Sequence, residues 1–133
     1  MLQTIWHPSP NYDQRPHGTK IDTVIIHYTD MPNSNDALQR MCDPASKVSA
    51  HYLVDDNGTI YQLVEDTNRA WHAGISEWRG KSNVNHFSIG IELQNPGHVF
   101  YTEILLHQII KLTLYDQIVQ TVRFHCPAFV PCA

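Results

Sequence analysis

Apolar and polar positions change rhythm several times along the chain, and each change marks an element. Residues 21–29 are rich in β-branched side chains, with Val24, Ile25 and Ile26 consecutive. A run without polar alternation predicts a strand covered on both faces of its sheet. Before it, residues 1–20 read as loop, because Pro8, Pro10 and Pro16 interrupt regular backbone and Asn11, Asp13 and Gly18 favour turns. After it, residues 31–36 form a turn able to cap a short helix from Ala37 to about Met41, closed by Asp43-Pro44. Residues 48–55 and 59–64 have strand composition, and Asp56-Asn57-Gly58 between them signals a hairpin.

The pattern then lapses. Residues 65–85 are irregular but carry Trp71 and Trp78, which argue against disorder and for a functional loop. Residues 87–94 return to strand composition and stop at Asn95-Pro96-Gly97. Gly90 in their middle lets another group approach the backbone closely. Residues 102–120 turn helical, with Leu105, Ile109, Leu112 and Val119 on one stripe. Residues 121–125 suit a short strand, and residues 126–133 read as a frayed end.

Composition narrows the class. A chain of 133 residues suits one domain, and 42% hydrophobic with 17% charged residues is ordinary for a globular protein. The net charge of −4 and the lack of a basic run point away from nucleic acid and anionic membranes. No apolar stretch approaches the ~18 residues of a membrane span. The start, Met1 to Pro8, is not signal-like, so a cytoplasmic location is expected, the alternative being a secreted or periplasmic one with its signal missing from this chain. Three cysteines, Cys42, Cys126 and Cys132, make a disulfide scaffold a poor reading. Nine histidines against nine Lys plus Arg keep metal or proton chemistry in play.

Two of the charged or titratable positions stand out by context. Glu92 interrupts an apolar strand, where a carboxylate must be paired, metal-bound or neutral. Burial would raise its pKa toward the range of a general base, whereas a wet edge strand would leave it ordinary. His27 ends the apolar strand, where α/β proteins commonly place their sites; the plain alternative is a buried histidine bonded to a carbonyl. Together they could supply one ligand and the base of a zinc hydrolase, which needs two further ligands from elsewhere. His51 reads as a packed histidine or one supporting a ligand. His72, beside Trp71 on the long loop, suits contact with a polar ligand or simple loop packing. His7, His17, His86, His98 and His107 read as surface or structural.

Five segments occur in order: Ile25-Ile26-His27-Tyr28-Thr29, Val48 to Val54 around Ser49-Ala50-His51-Tyr52, Gly58 to Val64, Arg69-Ala70-Trp71-His72-Ala73-Gly74, and Asn85 to Leu93. With them the chain resembles the zinc-dependent N-acetylmuramoyl-L-alanine amidases of the AmpD type, relatives of phage T7 lysozyme and of the peptidoglycan recognition proteins. His7 to Tyr12 also looks like the family's opening. The resemblance covers residues 5–98 and leaves 99–133 as a divergent tail within a single domain, 1–133. It implies an α/β fold, a mixed central β-sheet flanked by helices, and hydrolysis of the amide between N-acetylmuramic acid and the L-alanine of the stem peptide, with Zn2+ as cofactor and peptidoglycan or muropeptide as partner. By the same resemblance His27 matches the first zinc ligand, Glu92 the acid/base residue, and Trp71, His72 and Asn85 positions lining the substrate groove.

The tail departs from the family pattern, which ends in a Gly-His-Ser-Asp strand and a Lys-containing loop. His125 and, seven residues on, Cys132 have nearly the spacing of a His and Cys ligand pair in some relatives. The competing expectation is that the C-terminal ligand segment is missing. Three readings follow: a zinc amidase, a module that binds muropeptide without cutting it, or a truncated relative that does neither.

Overall fold

The computed structural model describes residues 3–115 and 122–124. In chain order the strands are β1 (Ile5–Trp6), β2 (Tyr12–Gln14), β3 (Thr23–Tyr28), β4 (Tyr52–Val54), β5 (Ile60–Gln62), β6 (Asn68–Ala70), β7 (Glu77–Trp78), β8 (Lys81–Ser82), β9 (Ser88–Leu93) and β10 (Val122–Phe124). Helix α1 (Ser34–Cys42) follows β3, a single 3₁₀ turn (Val84–His86) precedes β9, and α2 (Glu103–Tyr115) follows it.

Six strands form one sheet in the order β1-β5-β4-β9-β3-β10. The β4–β5 pair is antiparallel, and the other four pairings are parallel. The sheet is therefore mixed, as expected. Its centre is β3 beside β9, the two strands with the longest buried runs. The hairpin signal also holds: Gly58 sits at φ +87°, and the Asp55 N–H donates to the Thr59 carbonyl at 2.9 Å.

Alternation splits the side chains of the central strands between two faces. Val24, Ile26, Ile89, Ile91 and Leu93 pack against Leu105, Ile109 and Leu112 of α2. Leu53 turns the other way, onto Ala37, Leu38 and Met41 of α1. Ile25 shares that second face with Val84 and Phe87. Helix α1 begins within the expected turn, at Ser34, and is capped by Asn33, whose Oδ1 accepts from the Asp36 N–H at 2.9 Å.

Four expectations need correction. Residues 1–20 are not all loop: β1 adds to the sheet edge beside β5, and β2 pairs with β6. Residues 65–85 likewise contain β6, the β7–β8 hairpin and the 3₁₀ turn. These strands are two or three residues long, too short for a periodic signal; β1, β2 and β6 are held by partners far along the chain, and β7 and β8 by each other across a tight turn. Residues 48–51 lie outside β4, because Ser49 and the backbone of His51 bond to Trp71 and Gly90 rather than to one ladder. Helix α1 spans Ser34–Cys42, longer than the apolar positions alone suggested. The expected last turn of α2 with Val119, together with His125, Cys126 and Cys132, lies outside the described residues. No helix among the described residues is long and apolar enough to cross a membrane.

Candidate functional site

His27 and Glu92 are ladder partners. Each is the penultimate residue of its strand, and the β3–β9 register places them directly opposite each other. Residues paired this way project to the same face of a sheet. Leu53 stands on the other flank of Glu92. All three lie on the α1 side, at the C-terminal ends of parallel strands, where open α/β sheets place their sites.

Both side chains are enclosed, His27 and Glu92 each being 8% exposed. Among the described residues, Glu92 Oε2 has no hydrogen-bond partner. Burial pushes the carboxyl up to about 8. A carboxyl in that range can take or give a proton near neutral pH.

His72 comes to this pair from the loop after β6. Its ring lies over Gly90, where an added Cβ would fall 2.3 Å from His72 Cγ. Its Nδ1 is 3.0 Å from His27 Nε2 and its Nε2 is 3.1 Å from Ser88 Oγ. The close approach expected at Gly90 is thus made by a neighbouring histidine. Desolvation, then the adjacent His27, His51 and Arg15, hold the His72 pKa well below the usual histidine range.

Asn85 anchors the same loop. Its Oδ1 accepts from the backbone N–H groups of His72 at 3.2 Å and Ala73 at 2.9 Å. Trp71 is half-buried, and its N–H donates to Ser49 Oγ at 2.9 Å. Its side chain, with that of Arg69, holds the Asp13 carboxyl below the usual carboxylate range, Arg69 being the larger influence. Arg69 and Asp13 face each other as a cross-strand ion pair of β2 and β6.

Below this layer lies a second polar group, in which Arg15 and Asn11 join His51 without having been singled out by the sequence. Arg15 is threaded inward, donating from Nε to the Asp66 carbonyl at 3.1 Å and from its terminal nitrogens to the carbonyls of Asn85 (2.9 Å), His86 (2.8 Å) and Ser88 (2.9 Å). Its NH2 also stands 3.0 Å from His51 Nε2. Burial brings the guanidinium pKa down to about 10. His51 is fully buried; its Nδ1 accepts from the Gly90 N–H at 3.0 Å and its Nε2 lies 3.1 Å from the Asn68 carbonyl. Because Nδ1 accepts, the proton of neutral His51 is on Nε2 and goes to Asn68. Burial lowers its pKa to about 3. Asn11 plays a similar part near α1, donating from Nδ2 to the carbonyls of Asp43 (2.8 Å) and Val48 (2.9 Å). No periodicity marks Arg15 or Asn11; a Pro-broken stretch that keeps polar residues capable of several hydrogen bonds is the one hint available.

The donor set bears on a metal. A neutral imidazole beside a buried, unpartnered carboxylate oxygen suits a divalent cation and its water. Among the described residues there is no grouping of three or more His, Cys, Asp or Glu that could hold one. His27 is the single ligand candidate within them, and His125 lies outside.

The model of the N-acetylmuramoyl-L-alanine amidase family matches residues 17–125, further along the chain than the motifs reach. The 1,6-anhydro-N-acetylmuramyl-L-alanine amidase AmpD of Haemophilus influenzae is 34% identical over 122 residues, covering 79% of this chain and 66% of its own length. A crystal structure of a selenomethionine AmpD derivative superposes with a TM-score of 0.77 at 28% identity, over 94% of this chain and 82% of that one. The Escherichia coli amidase AmiD, solved with the substrate anhydro-N-acetylmuramic acid-L-Ala-D-γ-Glu-L-Lys, gives a TM-score of 0.67 at 31% identity, over 79% of this chain and 48% of that one.

Proposed function

This chain belongs to the N-acetylmuramoyl-L-alanine amidase family, and on that premise we propose that it hydrolyses the amide joining N-acetylmuramic acid to L-alanine in peptidoglycan or its muropeptide fragments. The observation that carries the reading is the register pairing of His27 with buried Glu92, whose Oε2 has no hydrogen-bond partner among the described residues. The AmiD structure, solved with an anhydromuramyl peptide, supports the substrate class.

His27 is the first ligand of a zinc ion in this reading, and His125 the second. A zinc ion held there would polarise the scissile carbonyl and acidify the attacking water. Glu92 takes the water's proton on Oε2 and returns it to the departing L-alanine amine. The enclosure of Glu92 keeps bulk water from competing for that proton. Asn85 holds the loop of Trp71 and His72 against the sheet, and with them flanks the groove for the muramyl peptide. Residues 1–133 act as one domain.

Calorimetric zinc titration, with muropeptide cleavage followed by release of L-alanyl peptides, tests the proposal. Micromolar or tighter zinc binding lost in His27→Ala, and cleavage abolished by chelator and by Glu92→Gln, is the expected result. Muropeptide binding that survives chelation, with no cleavage, would replace the enzyme by a recognition module.

A further inference from the structure

We propose that His72 is a positioning residue: it dictates which nitrogen of His27 carries the proton, through a one-way hydrogen-bond chain from His27 to the Val84 carbonyl. Ser88 Oγ lies 2.7 Å from the Val84 carbonyl, which can only accept, so the single hydroxyl proton is committed there. The other contact of that hydroxyl, 3.1 Å to His72 Nε2, then needs its proton from the imidazole. A neutral imidazole has one N–H, so His72 Nδ1 is bare. It faces His27 Nε2 at 3.0 Å, and His27 must therefore donate.

The chain fixes the lone pair of neutral His27 on Nδ1. Three features keep His72 neutral and in place. Its ring is desolvated beside two other imidazoles, whose centroids lie 5.2 Å (His27) and 5.9 Å (His51) away. Arg15, whose NH2 stands 3.0 Å from His51 Nε2, places a fixed positive charge beside the imidazole cluster. Gly90 gives the ring its seat, since a Cβ there would also fall 2.7 Å from Nδ1. If His27 is a zinc ligand, which rests on the function proposed above, the consequence is that Nδ1 is the nitrogen offered to the metal. An oriented partner on the second ring nitrogen is how proteins commonly fix and strengthen an imidazole ligand.

The test has an arm that needs no metal. Long-range 15N–1H correlation spectra of the histidine-labelled, metal-free full chain should show His27 and His72 each as a single Nε2–H tautomer. In His72→Phe, which fills the space without an acceptor, His27 should become a tautomer mixture. His72→Asn, whose side-chain oxygen can accept where Nδ1 did, should restore the single form. Ser88→Ala, a smaller change of shape, should also mix the tautomers by removing the acceptor of His72. A proton on His27 Nδ1 in the parent chain overturns the proposal, as does an unchanged Nε2–H tautomer in both His72→Phe and Ser88→Ala. In the zinc arm, His72→Phe should weaken binding about 10- to 100-fold and His72→Asn by no more than about threefold. Equal losses in the two variants overturn the link to the metal. Failure of the parent chain to bind zinc would count against the proposed function and leave the tautomer result standing.

Discussion

His27 and Glu92 face each other across the β3–β9 ladder, so one parallel register unites a ligand-type side chain and a base-type side chain on a single buried face. Glu92→Gln keeps the shape and removes the proton acceptor. In the amidase assay it should lower kcat about 10²- to 10⁴-fold and leave zinc affinity within a few-fold of the parent. Retained turnover in that variant would remove Glu92 from the chemistry.

Gly90→Ala tests the seat of His72. The new Cβ would stand 2.3 Å from His72 Cγ and 2.5 Å from Cδ2, so the ring must leave its place. Overpacking of this kind costs about 1–3 kcal/mol. Urea unfolding should show that loss, and the His72 ring resonances should move furthest. A variant as stable as the parent with unshifted His72 signals would contradict the packing described.

His51 makes stability depend on pH. Its folded pKa, about 3, lies below the ordinary 6.5 because the buried ring resists protonation. The unfolded chain therefore binds this proton first, and stability is full above about 6.5 and falls as pH drops toward 3. The whole step is on the order of 5 kcal/mol. Urea midpoints of the chelated protein across that range should follow the decline, and His51→Gln should flatten it. An equal slope in both proteins would show that other groups cause it.

Arg15→Lys tests whether charge or geometry matters at the base of the site. An ammonium cannot satisfy the carbonyls of Asp66, Asn85, His86 and Ser88 together. Leaving buried acceptors unpaired, the exchange should cost about 3–5 kcal/mol. Chemical denaturation gives the number, and a change below about 1 kcal/mol would mean the guanidinium is not the clamp it resembles.

Much of this molecule is written locally. The unbroken apolar run at Val24–Ile26 specifies a strand buried on both faces, Asn57-Gly58 specifies the hairpin, and Leu105, Ile109 and Leu112 mark the face that α2 buries. These signals survive without a structure because each depends on neighbours within a few residues. His27 and Glu92 are also legible, since a strand-end imidazole and a carboxylate inside an apolar strand conflict with their surroundings unless they have a task. Tertiary structure alone decides that the two share a register, because parallel strands far apart in sequence are aligned by packing and not by a turn. It alone brings Arg15 under the loop of Asn85 and His86, and seats His72 on Gly90. Such contacts join residues with no periodic relation, and their energy exists only once the groups have been taken out of water together.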